Sequence, residues 1–411
     1  MLRYPEDFPP GPNYSISPTL LEIQCSDFPI VKVKTPSGQT MWLVTKHNDV
    51  KQAFMDTRLS RSLAYPGAPR LRGDDVTSIG GCILNLEGDQ HSRVRSAIFP
   101  LFTKKAIIHW SDQLQEWSRD TLRYALKATD TIDLVSEYAQ PIVAKLCSQT
   151  LGINARELAE IRKLLSAQAS LVEDPQCIFR ATREILSIAE QLLNQEAPYH
   201  GPLSPIRNAW KSDRKISHTE ATGTVSMLLF NLVEPLEAPI ILGILQCIKN
   251  RSKIMPITEG SIKAQDHTHA WSRITEEVLR YHNNGPTNLP RIATSQVQLS
   301  RQKIEVGDPV LTSSLAAAWD SRAYHRPSSF DPKRRRRDSI WFGIGRHRCL
   351  GAQFAHRAVQ AAISSFFCAL AERSIETLDT LPQSVTRIKR ESETNKVGFL
   401  FHPKSVMVRI T

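Results

Sequence analysis

The run from Val225 to Ile248 constrains this chain more than any other segment, being its longest apolar stretch. As a helix it would be apolar on nearly every side, and such a helix needs protein or lipid all round it. Asn231, Glu234 and Glu237 place polar groups inside it, and Pro235 and Pro239 interrupt its backbone hydrogen bonding. A bilayer span would keep that interior apolar, so the run predicts a long buried helix and no membrane crossing. A helix of that kind requires a large surround. The 411 residues exceed an ordinary domain of about 100 to 200 residues and suit one large domain or two modest ones. With 41% apolar and 23% charged residues the chain lies near globular averages, which excludes a disordered or fibrous protein.

The remaining pattern is mostly helical. Apolar residues recur at spacings of three and four in Trp110–Leu126, Ile142–Leu151 and Ile185–Leu193. Further helices are expected from His269 to Tyr281 and from near Cys349 to about Arg373. Strands Ile30–Lys34 and Thr40–Val44 flank the turn Pro36-Ser37-Gly38. A second hairpin is expected from Val297–Leu299 and Ile304–Val306, with Val310-Leu311 following Gly307-Asp308-Pro309. No repeat, low-complexity linker or clean cut point divides the sequence. Residues 1–411 therefore read as a single mainly α domain with small β-sheets.

Lys and Arg (52) exceed Asp and Glu (41), giving a net charge of +11 that admits an acidic protein, nucleic acid or an anionic surface as partner. The seven cysteines are widely spaced with no Cys-x-x-Cys, so neither a disulfide framework nor a zinc ribbon is written in them. Met1–Tyr14 carries Pro5, Pro9, Pro10 and Pro12 and no apolar run, unlike a signal peptide or an N-terminal anchor. These features predict a cytoplasmic protein.

The most informative segment runs from Trp341 to Ala352. Gly343 and Gly345 allow a tight turn, Cys349 stands at its exit, and a helical pattern begins beside it. A cysteine at a helix N-terminus meets oriented N–H groups and the positive dipole end, and Arg346, His347 and Arg348 add charge; all favour the thiolate, the form that binds metal. The same cysteine could be an inert buried thiol or a covalent nucleophile. Gly343-Ile344-Gly345 begins a dinucleotide fingerprint, but Arg348 stands where its last glycine belongs.

Phe342, Gly345, Cys349 and Gly351 together resemble the haem-binding signature of the cytochrome P-450 family. The resemblance implies a cytochrome P-450 fold, haem b as cofactor, and Cys349 as the thiolate ligand of its iron. Gly343 would let the cofactor approach, and Phe342 would pack beside haem and sulfur. His91 and Arg95, one turn apart, with Arg291 and His347, match the positions that meet the haem propionates. Glu277 and Arg280 match the family's Glu-x-x-Arg pair and Arg334 its third partner, a structural triad that locks the segment presenting the cysteine.

The resemblance breaks in the long apolar helix. Relatives carry an acid followed by threonine there, whereas no Ser or Thr occurs from Met227 to Gln246. The acid survives as Glu234, next to Pro235, and a slip of one turn brings Glu237 there instead. The alcohol ordinarily orders the water that delivers protons. Glu234, a turn opened by Pro235, or a hydroxyl on the substrate is expected to replace it. Substrate contacts are expected from Leu232, Glu237, Thr287, Asn288 and Leu289, the loop from Ser62 to Ile83, the region from Leu164 to Pro205, and the turn near Gly398-Phe399.

The resemblance implies a haem-thiolate monooxygenase that oxidises a small organic molecule, as one tailoring step of specialised metabolism. Oxidative coupling without oxygen insertion and a non-catalytic haem-binding relative are the alternatives. The basic run Lys333–Arg337, with Arg346, Arg348 and Arg357, would steer an acidic ferredoxin or flavodoxin carrying electrons from its reductase. Nucleic acid is not expected, because no binding fold or aromatic interleaving accompanies that charge.

Overall fold

In a computed structural model of the protein the described residues are 1–72, 79–127, 129–170, 173–195, 203–259, 264–282, 285, 287–334, 339–371, 373–377 and 403–411. The side chains of Asn13, Glu234, Glu259 and residues 264–267 also lie outside the description.

Among these residues the helices are α1 Pro18–Cys25, α2 His47–Met55, α3 Gly88–Ile98, α4 Lys104–Ala125, α5 Gln140–Leu151, α6 Ala155–Ala169, α7 Pro175–Asn194, α8 Ser204–Arg207, α9 His218–Lys249, α10 Arg251–Glu259, α11 Ala264–Tyr281, α12 Ser314–Ala318 and α13 Ala352–Ala369. The strands are β1 Leu2–Arg3, β2 Ile30–Lys34, β3 Thr40–Val44, β4 Leu59–Ser60, β5 Thr131–Asp133, β6 Arg291–Ala293, β7 Val297–Leu299, β8 Gln302–Ile304, β9 Pro309–Thr312, β10 Ile375–Thr377 and β11 Met407–Ile410. One mixed sheet runs β1-β2-β3-β9-β6-β4, a second β10-β11-β5, and β7 and β8 form a hairpin.

The long apolar run is α9, and it is helical from end to end through Pro235 and Pro239. It passes the length and composition test for a membrane span, but 82% of its most apolar window is buried inside the fold. Its position is fixed at three places. At the N-terminus Ser217 and Glu220 form a capping box, and Glu220 also takes Arg93 of α3 at 2.8 Å. At Gly223 a side chain would meet the backbone of Gly80 and Cys82 at 2.8 Å. At Gly243 it would strike Ile363 of α13 at 2.4 Å. One apolar core surrounds α9 with α4, α5, α7, α11 and α13; the other lies beneath the six-stranded sheet.

The first hairpin pairs Ile30 with Val44 through Lys34 with Thr40, as the alternation implies. In the second, β8 begins at Gln302, two residues before the expected Ile304, and ends at Ile304. Ser300 adopts a left-handed φ of 45°, so a two-residue turn closes the strands early, and Asp49 accepts its hydroxyl at 2.7 Å. The last helix starts at Ala352, which leaves Cys349 in the turn before it.

Candidate functional site

The loop holding Cys349 is shaped by glycine. Gly343 and Gly345 have φ of 67° and 78°, a region that side chains disfavour. A side chain at Gly345 would also stand 3.1 Å from the carbonyl oxygen of Phe54. Within the loop the Cys349 N–H donates to Phe342 O at 2.8 Å and Arg348 N–H to Gly345 O at 3.1 Å. A side chain at Gly351 would rest in ordinary contact with Phe102, its Cβ 3.4 Å from that ring and 4.0 Å from the Cys349 sulfur.

Cys349 has open surface, yet it sits deep enough that burial pushes its thiol pKa up. The Gly351 N–H, Arg95 and Arg348 pull the other way, as the sequence implies, but burial outweighs them. A bound metal ion removes that obstacle, since it deprotonates a coordinating thiol outright.

The four residues matched to propionate contacts form one linked group, with Arg95 beside the sulfur. His91 is buried in α3, its ring 4.6 Å from that of His347. Arg95 donates from Nη1 to Arg348 O at 3.0 Å. Arg291, at the start of β6, donates from Nη1 to Leu59 O at 3.1 Å and lies over the Phe54 ring at 5.6 Å. Burial brings its pKa down to about 10. His91 is held neutral, at a pKa of about 4, by burial and by the His347 and Arg95 charges. With protein groups alone, the histidines are thus donors more than cations.

Whether this set fits haem is tested by its unsatisfied donors. Arg291 Nε and Trp341 Nε1 are buried with no hydrogen-bond partner among the described residues. Buried polar groups nearly always find partners. A buried guanidinium with a spare N–H, in the same linked group as the Arg95 that stands beside an accessible cysteine, suits an anionic cofactor whose metal takes the sulfur. The residues present fit haem.

The triad residues meet as a buried cluster. Arg280 donates to both Glu277 oxygens at 2.8 and 2.9 Å, and Arg334 Nε lies 3.3 Å from each. Arg280 also holds Ala318 O, at the end of α12, and Pro327 O, and Arg334 holds His325 O, Arg326 O and Ser329 O, so two cations bind five carbonyls. Glu276, next in line, accepts Ser339 Oγ at 2.7 Å and ties α11 to the start of the cysteine loop.

Several residues expected at the substrate lie elsewhere. Glu237 is 2% exposed and paired with Arg162 of α6, so its carboxylate belongs to the α6–α9 interface. Thr287 is 1% exposed against Tyr4. Asn288 is spent on the backbone N–H and hydroxyl of Ser314 and on Thr312. Leu232 is buried in the α9 core, and Leu289 is half-buried. In place of an opened turn at Pro235, α9 keeps helical backbone, and Asn231 Nδ2 donates to Met227 O at 2.8 Å. Asn231 is exposed and Pro235 half-buried on a helix otherwise largely covered there. The Glu234 side chain, Arg335–Arg337 and the turn at Gly398-Phe399 lie outside the described residues.

One residue of the site escaped the sequence reading. Glu87 lies 3.1 Å from His347 Nε2 and 3.7 Å from Arg346, and accepts the Arg61 N–H at 2.7 Å. A carboxylate among cations signals such a role, but nothing local in the sequence shows which distant segments reach it.

Fold and site together define a haem-thiolate oxidoreductase. A family model for cytochrome P-450 matches residues 257–409. Nocardicin C N-oxygenase of Nocardia uniformis subsp. tsuyamanensis is 28% identical over 343 residues, 82% of this chain and 84% of that protein. The LnmA cytochrome P-450 hydroxylase from the leinamycin pathway of Streptomyces atroolivaceus S-140 superposes with a TM-score of 0.82 at 22% identity, covering 100% of both chains. A cytochrome P-450 with biaryl coupling reactivity gives 0.82 at 23% identity, over 97% of this chain and 98% of that one. The chain belongs to the cytochrome P-450 family.

Proposed function

We propose that this enzyme oxidises a small organic molecule in a tailoring step of specialised metabolism, with Cys349 as the iron ligand. The observation that carries the reading is an accessible sulfur in a glycine-shaped loop, with Arg95 beside it and His91, His347 and Arg291 linked in turn to Arg95. Haem, when bound, supplies the redox chemistry that activates dioxygen with two electrons.

The chain's own part is to hold and orient. Arg291 and Arg95 would neutralise the propionates, with His91 and His347 donating beside them. Gly343 and Gly351 admit the ring edge and the sulfur. Asn231, exposed, and Pro235, half-buried, would give α9 its accessible face, and the half-buried Leu289 would supply apolar contact for substrate. Protons would come from Glu234, since no Ser or Thr occurs from Met227 to Gln246. Replacing Glu234 with Gln should then uncouple electron uptake from product; unchanged coupling removes the acid from this role.

The missing alcohol also favours a second reading, oxidative coupling without oxygen insertion. The relatives named above act in N-oxygenation, hydroxylation and biaryl coupling, which supports small-molecule tailoring without choosing the reaction. Turnover under isotopically heavy dioxygen separates the two: label in the product means monooxygenation, and product lacking label but short of hydrogen means coupling. No turnover with any reductant would leave a non-catalytic haem protein.

Electrons would enter from an acidic ferredoxin or flavodoxin at the face carrying Arg346, Arg348 and Arg357, all exposed. A cytoplasmic setting is supported by the seven cysteines, none of which forms a disulfide among the described residues.

A further inference from the structure

Glu87 stands where three separate parts of the chain converge on the haem site. It immediately precedes α3, yet its side chain caps no N–H of that helix, so the ordinary reason for an acid at this position is absent. Its carboxylate accepts the Arg61 N–H at 2.7 Å and lies 3.1 Å from His347 Nε2, within ion-pair reach though outside hydrogen-bond geometry, and 3.7 Å from Arg346 Nη1. Its carbonyl takes the His91 N–H at 3.3 Å. Arg61 extends the same web: its guanidinium holds Leu84 O at 3.0 Å, Asn85 Oδ1 at 2.9 Å and Pro290 O, next to Arg291, at 2.5 Å. The side chain of Glu87 is only 28% exposed. Burial alone would raise its pKa, but His347, the Arg61 N–H and the Arg291 charge bring it down to about 2.

We infer that Glu87 is a positioning residue, a fixed anion that ties together the segments bearing His91 and Arg95, Arg291, and Arg346 and His347, and so sets the propionate contacts. This rests on the haem reading above. It requires no contact between Glu87 and the cofactor. The arginines gathered here would repel one another without a carboxylate between them.

Two explanations of Glu87 predict opposite signs. If it acted only through its charge, removing it would strengthen attraction for the anionic propionates and slow haem loss. If it positions the donors, removing it loosens them and haem leaves faster. In Glu87→Gln holoenzyme, ferric haem should transfer to apomyoglobin on the order of tenfold faster than in wild type, the scale on which outer partners of a held group act. The haem reduction potential should also rise, because a nearby anion that disfavours the reduced iron is gone. Glu87→Asp keeps the charge but draws it back, so its potential should match wild type while haem loss is faster by a smaller factor. Unchanged or slowed transfer in Glu87→Gln overturns the inference, as does a lower melting temperature with transfer and potential unmoved, which would make Glu87 a local brace only. If Glu87→Gln does not fold, Glu87→Asp decides alone, and wild-type transfer there overturns it. Wild-type protein that takes up no haem would refute the functional reading instead.

Discussion

Arg280 and Glu277 face each other as a bidentate pair at 2.8 and 2.9 Å, at 2% and 4% side-chain exposure. Two charges taken out of water this completely are stable only together. With Arg334 they hold carbonyls from residues 318 to 329, and the Asp331 N–H donates to Glu277 as well. Glu277→Gln keeps the shape but leaves two buried guanidinium groups short of an anion. It should cost about 3 to 5 kcal/mol and lower the yield of haem-loaded protein, measured by thermal melts and haem-to-protein ratio. A stable Glu277→Gln that retains full haem would show that the cluster is not what holds the cysteine loop.

Arg162 and Glu237 form the corresponding pair between α6 and α9. Arg162→Ala strands a carboxylate that is 3% exposed and should destabilise the protein by about 3 kcal/mol. Glu237→Gln should cost less, because the amide still accepts a hydrogen bond, and should leave substrate affinity unchanged. A change in substrate-induced spin-state titration without loss of stability would put Glu237 back at the substrate.

His282 links the end of α11 to α9 and to the N-terminal segment, with Nε2 3.3 Å from Gln246 Oε1 and Nδ1 3.4 Å from Tyr14 O. Burial, with the Arg280 and Lys249 charges, lowers its pKa to about 4. The unfolded chain binds this proton near pH 6.5 and the folded one does not, so stability falls as pH drops from about 6.5 to about 4. The share from this residue is up to about 3 kcal/mol, at 1.36 kcal/mol per unit. Denaturant titrations across that window should show a shallower decline for His282→Gln than for wild type. Parallel curves would mean that His282 titrates normally in the fold.

Much of the architecture was legible because it depends on local spacing. Glu277 and Arg280 share a helix face by period alone, and glycines at 343 and 345 mark a backbone that other residues resist. What was not legible depends on rotation and on distant chain. Glu237 sits three residues from Glu234 on a helix apolar all round, so no hydrophobic stripe showed which face meets Arg162. Asn288 is polar and near the site in sequence, but β9 and α12 claim its amide. Glu87 gains its meaning from Arg61, Arg346 and His347, none of which its neighbours announce.

Electron delivery to the face bearing Arg346, Arg348 and Arg357 should weaken with salt, because screening over about 10 Å at 0.1 M ionic strength erases steering between exposed charges. Stopped-flow reduction by an acidic ferredoxin should slow severalfold between low salt and 0.5 M. Arg348→Glu should slow it at low salt and remove most of the salt dependence. A rate indifferent to salt in wild type would place the docking surface elsewhere.

The most direct test of the account is the absorption spectrum of the reduced protein under carbon monoxide. The account predicts the red-shifted Soret band of a thiolate-ligated haem, lost when Cys349 is replaced by Ala. A colourless protein, an unshifted Soret band, or a Cys349→Ala variant that keeps both pigment and the shifted band would contradict it.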